Sequence, residues 1–220
     1  EIGPGAFASC QALKTVEFPD KLKRIYTSAF DACESLEDVD LGGTGLEQIY
    51  AFAFAHCGKL KNVVLPRSLS RVGHAAFHSC GSLEAVDMSS TGVSEIRESA
   101  FHNCKNLTAV AFPKTLVGIG KNAFYACTRL EAAELGDTGV VEIGARAFQR
   151  CSALKTVGFP NNLYKINTGA FTSCTSLEGA DLGGTGVEFI ENQAFYGCTS
   201  LKTVGFPNKL YKINTGAFAS

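Results

Sequence analysis

Nine cysteines recur along the chain at intervals that alternate between 23 and 24 residues. They are Cys10, Cys33, Cys57, Cys80, Cys104, Cys127, Cys151, Cys174 and Cys198. A fixed period of this length is typical of stacked coils, because each coil must return the same side chain to the same place. The period therefore predicts a single solenoid domain over residues 1–220, with about nine coils and a cut within a repeat at each end.

Each coil contains three short motifs. The first reads Leu-x-x-Val-x-Leu or Leu-x-x-Val-x-Phe, as in residues 36–41, and has the apolar spacing and central β-branched residue of a strand. A Leu-x-x-Ile motif follows and closes the second side of the coil. Ala-Phe-x-x-Cys completes the coil, and the spacing of its Phe and Cys predicts a short helical or 3-10 turn with both side chains on one face.

Two types of coil alternate with a period of 47 residues. One type has a proline after the strand, at Pro19, Pro66, Pro113, Pro160 and Pro207. The other has Thr-Gly, at Thr44-Gly45, Thr91-Gly92, Thr138-Gly139 and Thr185-Gly186. The Thr-Gly turn contains one more residue than the proline turn, and we expect its glycine to absorb that residue with a positive φ.

The complete coil reads Leu-x-x-Val-x-Phe-Pro-x-x-Leu-x-x-Ile-x-x-x-Ala-Phe-x-x-Cys and resembles the BspA-like, or Treponema-type, leucine-rich repeats. The resemblance covers the whole chain, since Ala-Phe-x-x-Cys occurs nine times. It implies an α/β repeat fold: a right-handed solenoid with a parallel β-sheet on one face and short helical or 3-10 turns on the other. It also implies an extracellular or cell-surface protein, such as an adhesin or a surface antigen.

Composition argues against several classes of function. The chain has 20 Lys and Arg against 21 Asp and Glu, so it offers no basic field for nucleic acid. No apolar run approaches the roughly 20 residues that span a bilayer, which argues against membrane insertion by this segment. No phosphate-binding loop, metalloprotease or serine-hydrolase motif occurs. We therefore expect no enzyme activity, no cofactor and no metal.

The cysteines admit three interpretations. A buried thiol ladder fits the Ala, Phe and Leu residues around each cysteine, because thiols in such surroundings stay protonated and inert. A disulfide framework would need side chains that point toward each other, whereas identical coils point them in parallel. Zinc binding or catalysis would need closely spaced ligands or a neighbouring base. The ladder is favoured, and it predicts that Cys104→Ser destabilises more than Cys104→Ala, because a hydroxyl would enter an apolar slot.

The outward positions of the strands form the candidate binding face, on the sheet side of the solenoid. Its residues are Lys14, Glu37, Asp40, Lys61, Glu84, Asp87, Glu131, Glu134, Lys155, Glu178, Asp181 and Lys202. The residue after the first strand leucine alternates between positive and negative charge from coil to coil, and opposite charges on neighbouring strands attract each other. Two interpretations remain open: a surface that neutralises itself and fixes the register, or a face that binds a partner.

The four histidines are the only chemical cluster that does not recur with the repeat. They are His56, His74, His78 and His102. His78 and His102 both follow the Phe of Ala-Phe, so we expect them to stack in adjacent coils. Exposed surface residues explain the cluster, and a weak metal or pH-sensitive contact is the alternative.

The sequence thus favours a binding or adhesion scaffold that presents a long surface to a protein or another extracellular macromolecule. One alternative is a structural element that self-associates end to end, because both uncapped ends would expose apolar side chains. Another is an idealised or designed repeat without a natural ligand, since residues 158–171 and 205–218 differ at one position.

Overall fold

A computed structural model describes all 220 residues as a stack of parallel coils. The Leu-x-x-Ile motifs form nine two-residue strands that pair along the whole stack, here named the continuous sheet. Its strands are β1 (Arg24–Ile25), β3 (Gln48–Ile49), β5 (Arg71–Val72), β7 (Glu95–Ile96), β9 (Gly118–Ile119), β11 (Glu142–Ile143), β13 (Lys165–Ile166), β15 (Phe189–Ile190) and β17 (Lys212–Ile213). Each strand pairs with the equivalent strand of the next coil, as Ile25 does with Ile49.

The Leu-x-x-Val motifs form three-residue strands in groups of four, two and two, here named the segmented sheet. They are β2 (Asp38–Asp40), β4 (Asn62–Val64), β6 (Ala85–Asp87), β8 (Ala109–Ala111), β10 (Ala132–Glu134), β12 (Thr156–Gly158), β14 (Gly179–Asp181) and β16 (Thr203–Gly205). The central residue of the strand points inward and its neighbours point outward, so Val39 is buried between the exposed Asp38 and Asp40. Pairing is in register, which places the outward side chains of successive coils beside each other.

The expectation of one sheet opposite helical turns is wrong, because the structure contains two sheet faces and no helix. Alternate N–H groups of the Ala-Phe-x-x-Cys segment donate to the next coil instead of to their own. Phe54 N donates to Ala76 O at 2.8 Å, while Ala55 N donates to Phe52 O in its own coil at 3.1 Å. His56 before the cysteine also has a positive φ of 58°, which ends any helical run. The segment is therefore a stacked turn that forms a third ladder of hydrogen bonds between coils.

A column of phenylalanines fills the interior beside these turns. Its ten rings are Phe7, Phe30, Phe54, Phe77, Phe101, Phe124, Phe148, Phe171, Phe195 and Phe218, and neighbouring rings stack with centroids 5.0–5.5 Å apart. Phe30 and Phe54, for example, are 5.2 Å apart with planes 1° from parallel. Leucines, isoleucines and valines of both sheets pack around the column in one continuous core. The repeat thus gives each coil the same large apolar side chains to bury.

The alternating turns differ in how they close, and the expected positive φ at the Thr-Gly glycines is wrong. The threonine side chain closes that turn: Thr44 Oγ1 donates to Leu41 O at 2.8 Å and accepts from Leu46 N at 3.2 Å. The glycine that follows approaches the preceding coil, and Gly45 N donates to Asp20 O at 2.8 Å. The approach is close, since a Cβ on Gly45 would lie 3.1 Å from Lys23 Nζ and 3.5 Å from Asp20 O, and the end of the lysine side chain would have to move aside.

Candidate binding surfaces and the cysteine ladder

The cysteines form an internal column next to the phenylalanines. All nine thiols are free; Cys10 is exposed, and those from Cys33 to Cys198 are buried. Each buried thiol donates a hydrogen bond to the carbonyl oxygen of the Phe in the preceding coil, as Cys104 Sγ does to Phe77 O at 3.1 Å. The slot is therefore not purely apolar, because it contains an acceptor for the S–H group.

Burial sets the chemistry of this column. Desolvation raises the pKa of Cys57 and of Cys104 to about 12, and it raises that of Cys80 and Cys127 well above the ordinary value. The neighbouring thiol adds to the effect at Cys80 and Cys127, since two thiolates would repel each other. Protonated thiols are weak nucleophiles and weak metal ligands, so the buried cysteines from Cys33 to Cys198 support the stack and offer no reactive group.

The residues after the first strand leucine form a row of alternating charges on the segmented sheet, here named the charge ladder. Its charged members are Lys14, Glu37, Lys61, Glu84, Glu131, Lys155, Glu178 and Lys202, and Thr108 lies between Glu84 and Glu131. Backbone hydrogen bonds hold the row in register, as Lys61 N donates to Glu37 O at 2.8 Å. Of the adjacent opposite charges, only Glu178 and Lys202 form an ion pair, at 3.0 Å. The other charges of the ladder have no ion pair among the protein's own side chains.

The aspartates of the candidate face have a different environment. Asp40, Asp87 and Asp181 each accept a hydrogen bond from the backbone N–H two residues later, at 2.9–3.0 Å. Bonds from the Ser89 hydroxyl and N–H also lower the pKa of Asp87. Glu134 accepts a longer bond from Thr156 Oγ1 at 3.4 Å. These aspartates therefore cap the Thr-Gly turns, and a sequence signal was present in the Asp-x-Gly or Asp-x-Ser spacing.

Three of the four histidines belong to one column and the fourth does not. His78 stacks on His102 at 4.6 Å, and His102 stacks on Tyr125 at 4.7 Å. His56 lies tilted against His78 at 5.3 Å and contacts Asp31 Oδ1 through Nδ1 at 2.9 Å. His74 lies apart, edge-on to Phe52 at 5.1 Å. Parallel imidazoles do not converge on one ion, and no group of three or more His, Cys, Asp or Glu side chains is arranged as a metal site.

Burial also shapes the charge state of the column. The Nδ1 atoms of His78 and His102 are buried without a hydrogen-bond partner. Desolvation, and then the nearby histidines, lower the pKa of His78 to about 4, and desolvation lowers that of His102. Both rings are therefore neutral at pH 7.

No helix in the structure has the length and apolar character that crossing a bilayer requires.

Comparison with known proteins gives a consistent picture. The family described as "BspA type Leucine rich repeat region" matches residues 1–108 and 94–220, in six copies. The crystal structure of the Treponema pallidum leucine-rich repeat protein is similar over 84% of this chain and 76% of its own, with 27% identity and a TM-score of 0.56. A leucine-rich repeat protein from Eubacterium ventriosum shares the fold over 99% of this chain and 79% of its own, with 18% identity and a TM-score of 0.56. A comparison with curated protein sequences found no significant match. The chain belongs to the BspA-type leucine-rich repeat family.

Proposed function

We propose that this chain is a non-enzymatic scaffold of an extracellular or cell-surface protein and that it binds another protein through the charge ladder. The surface location and a role in adhesion are part of the proposal and rest on what the family resemblance implies. The residues that recur in each coil are used inside the stack, so binding depends on the outward positions.

The observation that carries the proposal is that only one pair of adjacent opposite charges in the ladder, Glu178 and Lys202, forms a contact ion pair. A surface that only neutralised itself would bring Lys61 and Lys155 against the carboxylates of the adjacent coils, yet neither makes an ion pair. Neighbouring coils are about 4.8 Å apart. The ladder therefore presents alternating charges at a regular spacing on a backbone that is held rigidly in register, and such a pattern steers and orients a charged partner.

The experiment compares two variants of the same net charge against an array of extracellular proteins. The ladder variant replaces Lys14, Lys61, Lys155 and Lys202 with glutamate. The control variant also introduces four glutamates, at positions outside the ladder: Lys59, Lys105, Lys114 and Lys209. We expect a bound partner to lose about tenfold or more in affinity for the ladder variant and little for the control, since each exposed pair contributes up to about 1 kcal/mol. Equal affinity for the two variants would contradict the proposal.

A second candidate function is a structural element that assembles end to end. The terminal coils expose large apolar side chains, with Phe7 39% exposed, Phe206 48% and Ile213 43%. In the 220-residue segment taken by itself, apolar surfaces of this kind favour stacking of one copy on another. A sedimentation coefficient that rises with protein concentration supports this candidate, and a constant coefficient contradicts it.

A further inference from the structure

The continuous sheet contains a groove that the repeat does not require. It is a depression of about 520 Å³ across β7, β9 and β11, and His74 of the preceding coil also lines it. Val117 and Val141, which are 46% and 47% exposed, form its apolar wall. Gly118, Gly120 and Gly144 also line it. A Cβ at Gly120 or Gly144 would meet the backbone of the preceding coil at 2.7 or 2.5 Å, whereas a Cβ at Gly118 would meet only Glu95 Cγ at 3.9 Å. Every other strand of the continuous sheet has a side chain at the position of Gly118, so this glycine leaves the sheet surface open in one place.

The apolar wall continues along the stack beyond the depression. Tyr164 is 41% exposed and Tyr211 is 79% exposed, at the same position of the coil as the two valines. Phe189 joins them, with ring centroids 5.5 Å from Tyr164 and 5.8 Å from Tyr211. From Val117 to Tyr211 the row covers four coil steps, or about 19 Å. Such a length suits an extended chain better than a compact small molecule.

The charges around the groove are uneven. Glu95 pairs with Arg97 at 3.6 Å, and Glu98 pairs with Lys121 at 3.4 Å. Glu142 is exposed and accepts a long hydrogen bond of 3.5 Å from Asn167 Nδ2. Lys165, its partner on the next strand, makes its contact ion pair with Glu191 and acts on Glu142 only at longer range. The groove therefore combines an apolar wall with one carboxylate that has no contact ion pair.

We propose that this groove binds an extended segment of a partner protein in which apolar residues alternate with lysine or arginine. The apolar side chains pack against Val117 and Val141, and a neighbouring basic side chain pairs with Glu142. Exposed tyrosines further along the row also attract cations through their ring faces. The inference rests on the proposed role as a binding scaffold but concerns a face other than the charge ladder.

The chain offers matched variants for a test. Gly118→Gln fills the groove at low cost, because a Cβ there meets only Glu95 Cγ at 3.9 Å. Its control is Gly136→Gln, at a turn where a Cβ meets nothing within 4 Å. The double variant V117S/V141S removes the apolar wall, and V64S is its control because Val64 is 50% exposed on the segmented sheet. Glu142→Gln removes the carboxylate, with Glu34→Gln as the control, because Glu34 is exposed and lies outside both the groove and the charge ladder.

The probes are three fluorescein-labelled hexapeptides: alternating Leu-Lys, Leu-Glu and Ser-Lys. Fluorescence anisotropy measures their affinity for the intact 220-residue chain, and methyl NMR spectra locate the contact. We expect the Leu-Lys peptide to bind with a Kd below about 1 mM and to shift the methyl signals of Val117 and Val141. Gly118→Gln and V117S/V141S should abolish binding, and Glu142→Gln should weaken it about three- to tenfold. The three controls should leave it unchanged.

Several results would overturn the inference. They are no shift of the Val117 and Val141 methyl signals at several millimolar Leu-Lys peptide, equal binding of the Leu-Glu or Ser-Lys peptide, and groove variants that bind like their controls. A change of sedimentation coefficient in V117S/V141S would assign the groove to a second copy of the chain instead. The lysine variants of the charge ladder test the proposed function separately, since none of those lysines lines the groove.

Discussion

Two neighbouring columns of side chains run along the stack one residue apart in the sequence, and they differ in what constrains them. The phenylalanine column is complete, and Phe101 and Phe124 are fully buried. The next position holds His102 and Tyr125, which stack in a similar way but remain partly exposed. The core therefore fixes the first column in every coil, whereas the second is free to acquire titratable groups. We therefore expect functional side chains that do not recur in every coil to lie at half-exposed positions beside the core.

The largest difference between the columns should appear on truncation. Phe101→Ala removes a buried ring from the middle of the stack and should cost about 3–5 kcal/mol of unfolding free energy. His102→Ala, one residue later, removes a partly exposed ring and should cost less than about 1 kcal/mol. Urea unfolding monitored by circular dichroism measures both. Similar costs would mean that the second column supports the fold as much as the first.

The cysteine column sharpens the comparison, because it is buried like the phenylalanines but contains a polar donor. Cys104→Ala loses the sulfur packing and the bond to Phe77 O, and should cost about 1–2 kcal/mol. Cys104→Ser keeps a donor for that carbonyl and should cost less. This reverses the order expected from the sequence, whose premise of a slot without an acceptor is wrong. A greater loss for Cys104→Ser in the same urea measurement would show that the acceptor contributes little.

The histidine column should make stability depend on pH. The folded state lowers the pKa of His78 from 6.5 to about 4, so the unfolded chain binds more protons between these values. Stability should therefore be complete above pH 6.5 and fall as the pH drops to about 4. We expect a loss of about 1 kcal/mol, because solvent screens the partly exposed ring. The charges of the other three histidines also lower the pKa of His78, whereas Asp31 raises it.

The control for this pH effect is the double variant H78Y/H102Y, which extends the column with the residue present at Tyr125. Thermal unfolding from pH 7 to pH 4 should show a smaller decrease for the variant than for the original chain. Carboxylates with a lowered pKa, such as Glu178, lose their contribution at lower pH and are common to both proteins. Identical pH profiles would mean that the histidines do not act as a sensor.

Thiol labelling tests the buried cysteine column in the unmutated chain, so it perturbs the protein less than the substitutions above. Cys10 is exposed and should react with a thiol reagent in the folded protein. The remaining cysteines should react only as fast as the stack opens. Mass spectrometry of the labelled chain counts the modified sites. More than one label under native conditions would contradict the buried column.

The sequence predicted the features that recur and missed those that depend on contacts between coils. The cysteine period was sufficient to predict the stack and its shared core. The Ala-Phe-x-x-Cys spacing fits one helical turn equally well, and only the hydrogen bond from Phe54 N to the next coil distinguishes a stacked turn. The Leu-x-x-Ile strands are two residues long, so their motif shows no strand period, and the identical coil beside them supplies the pairing.

The sequence also predicted how the residues of the charge ladder are arranged, while their role in binding stays a prediction. Register alone places the lysines and glutamates of the charge ladder in a row, and the sequence gives that alternation directly. Side-chain geometry decides that, within the ladder, only Glu178 and Lys202 form an ion pair and that the Asp40 carboxylate accepts from Gly42 N. The groove depends on Gly118, which leaves a gap between the side chains of Glu95 and Glu142 that is recognised only when neighbouring coils are placed side by side.

The alternation of the two turn types constrains how many coils the protein can gain or lose at once. Each Thr-Gly turn donates from its glycine to the coil with the proline turn before it, as Gly92 N does to Leu69 O at 2.9 Å. A duplication or deletion of 47 residues preserves every contact of this kind. Gain or loss of a single coil would place two like turns in succession and interrupt the alternation of donor and acceptor turns. Growth of this protein by recombination is therefore expected in whole pairs of coils.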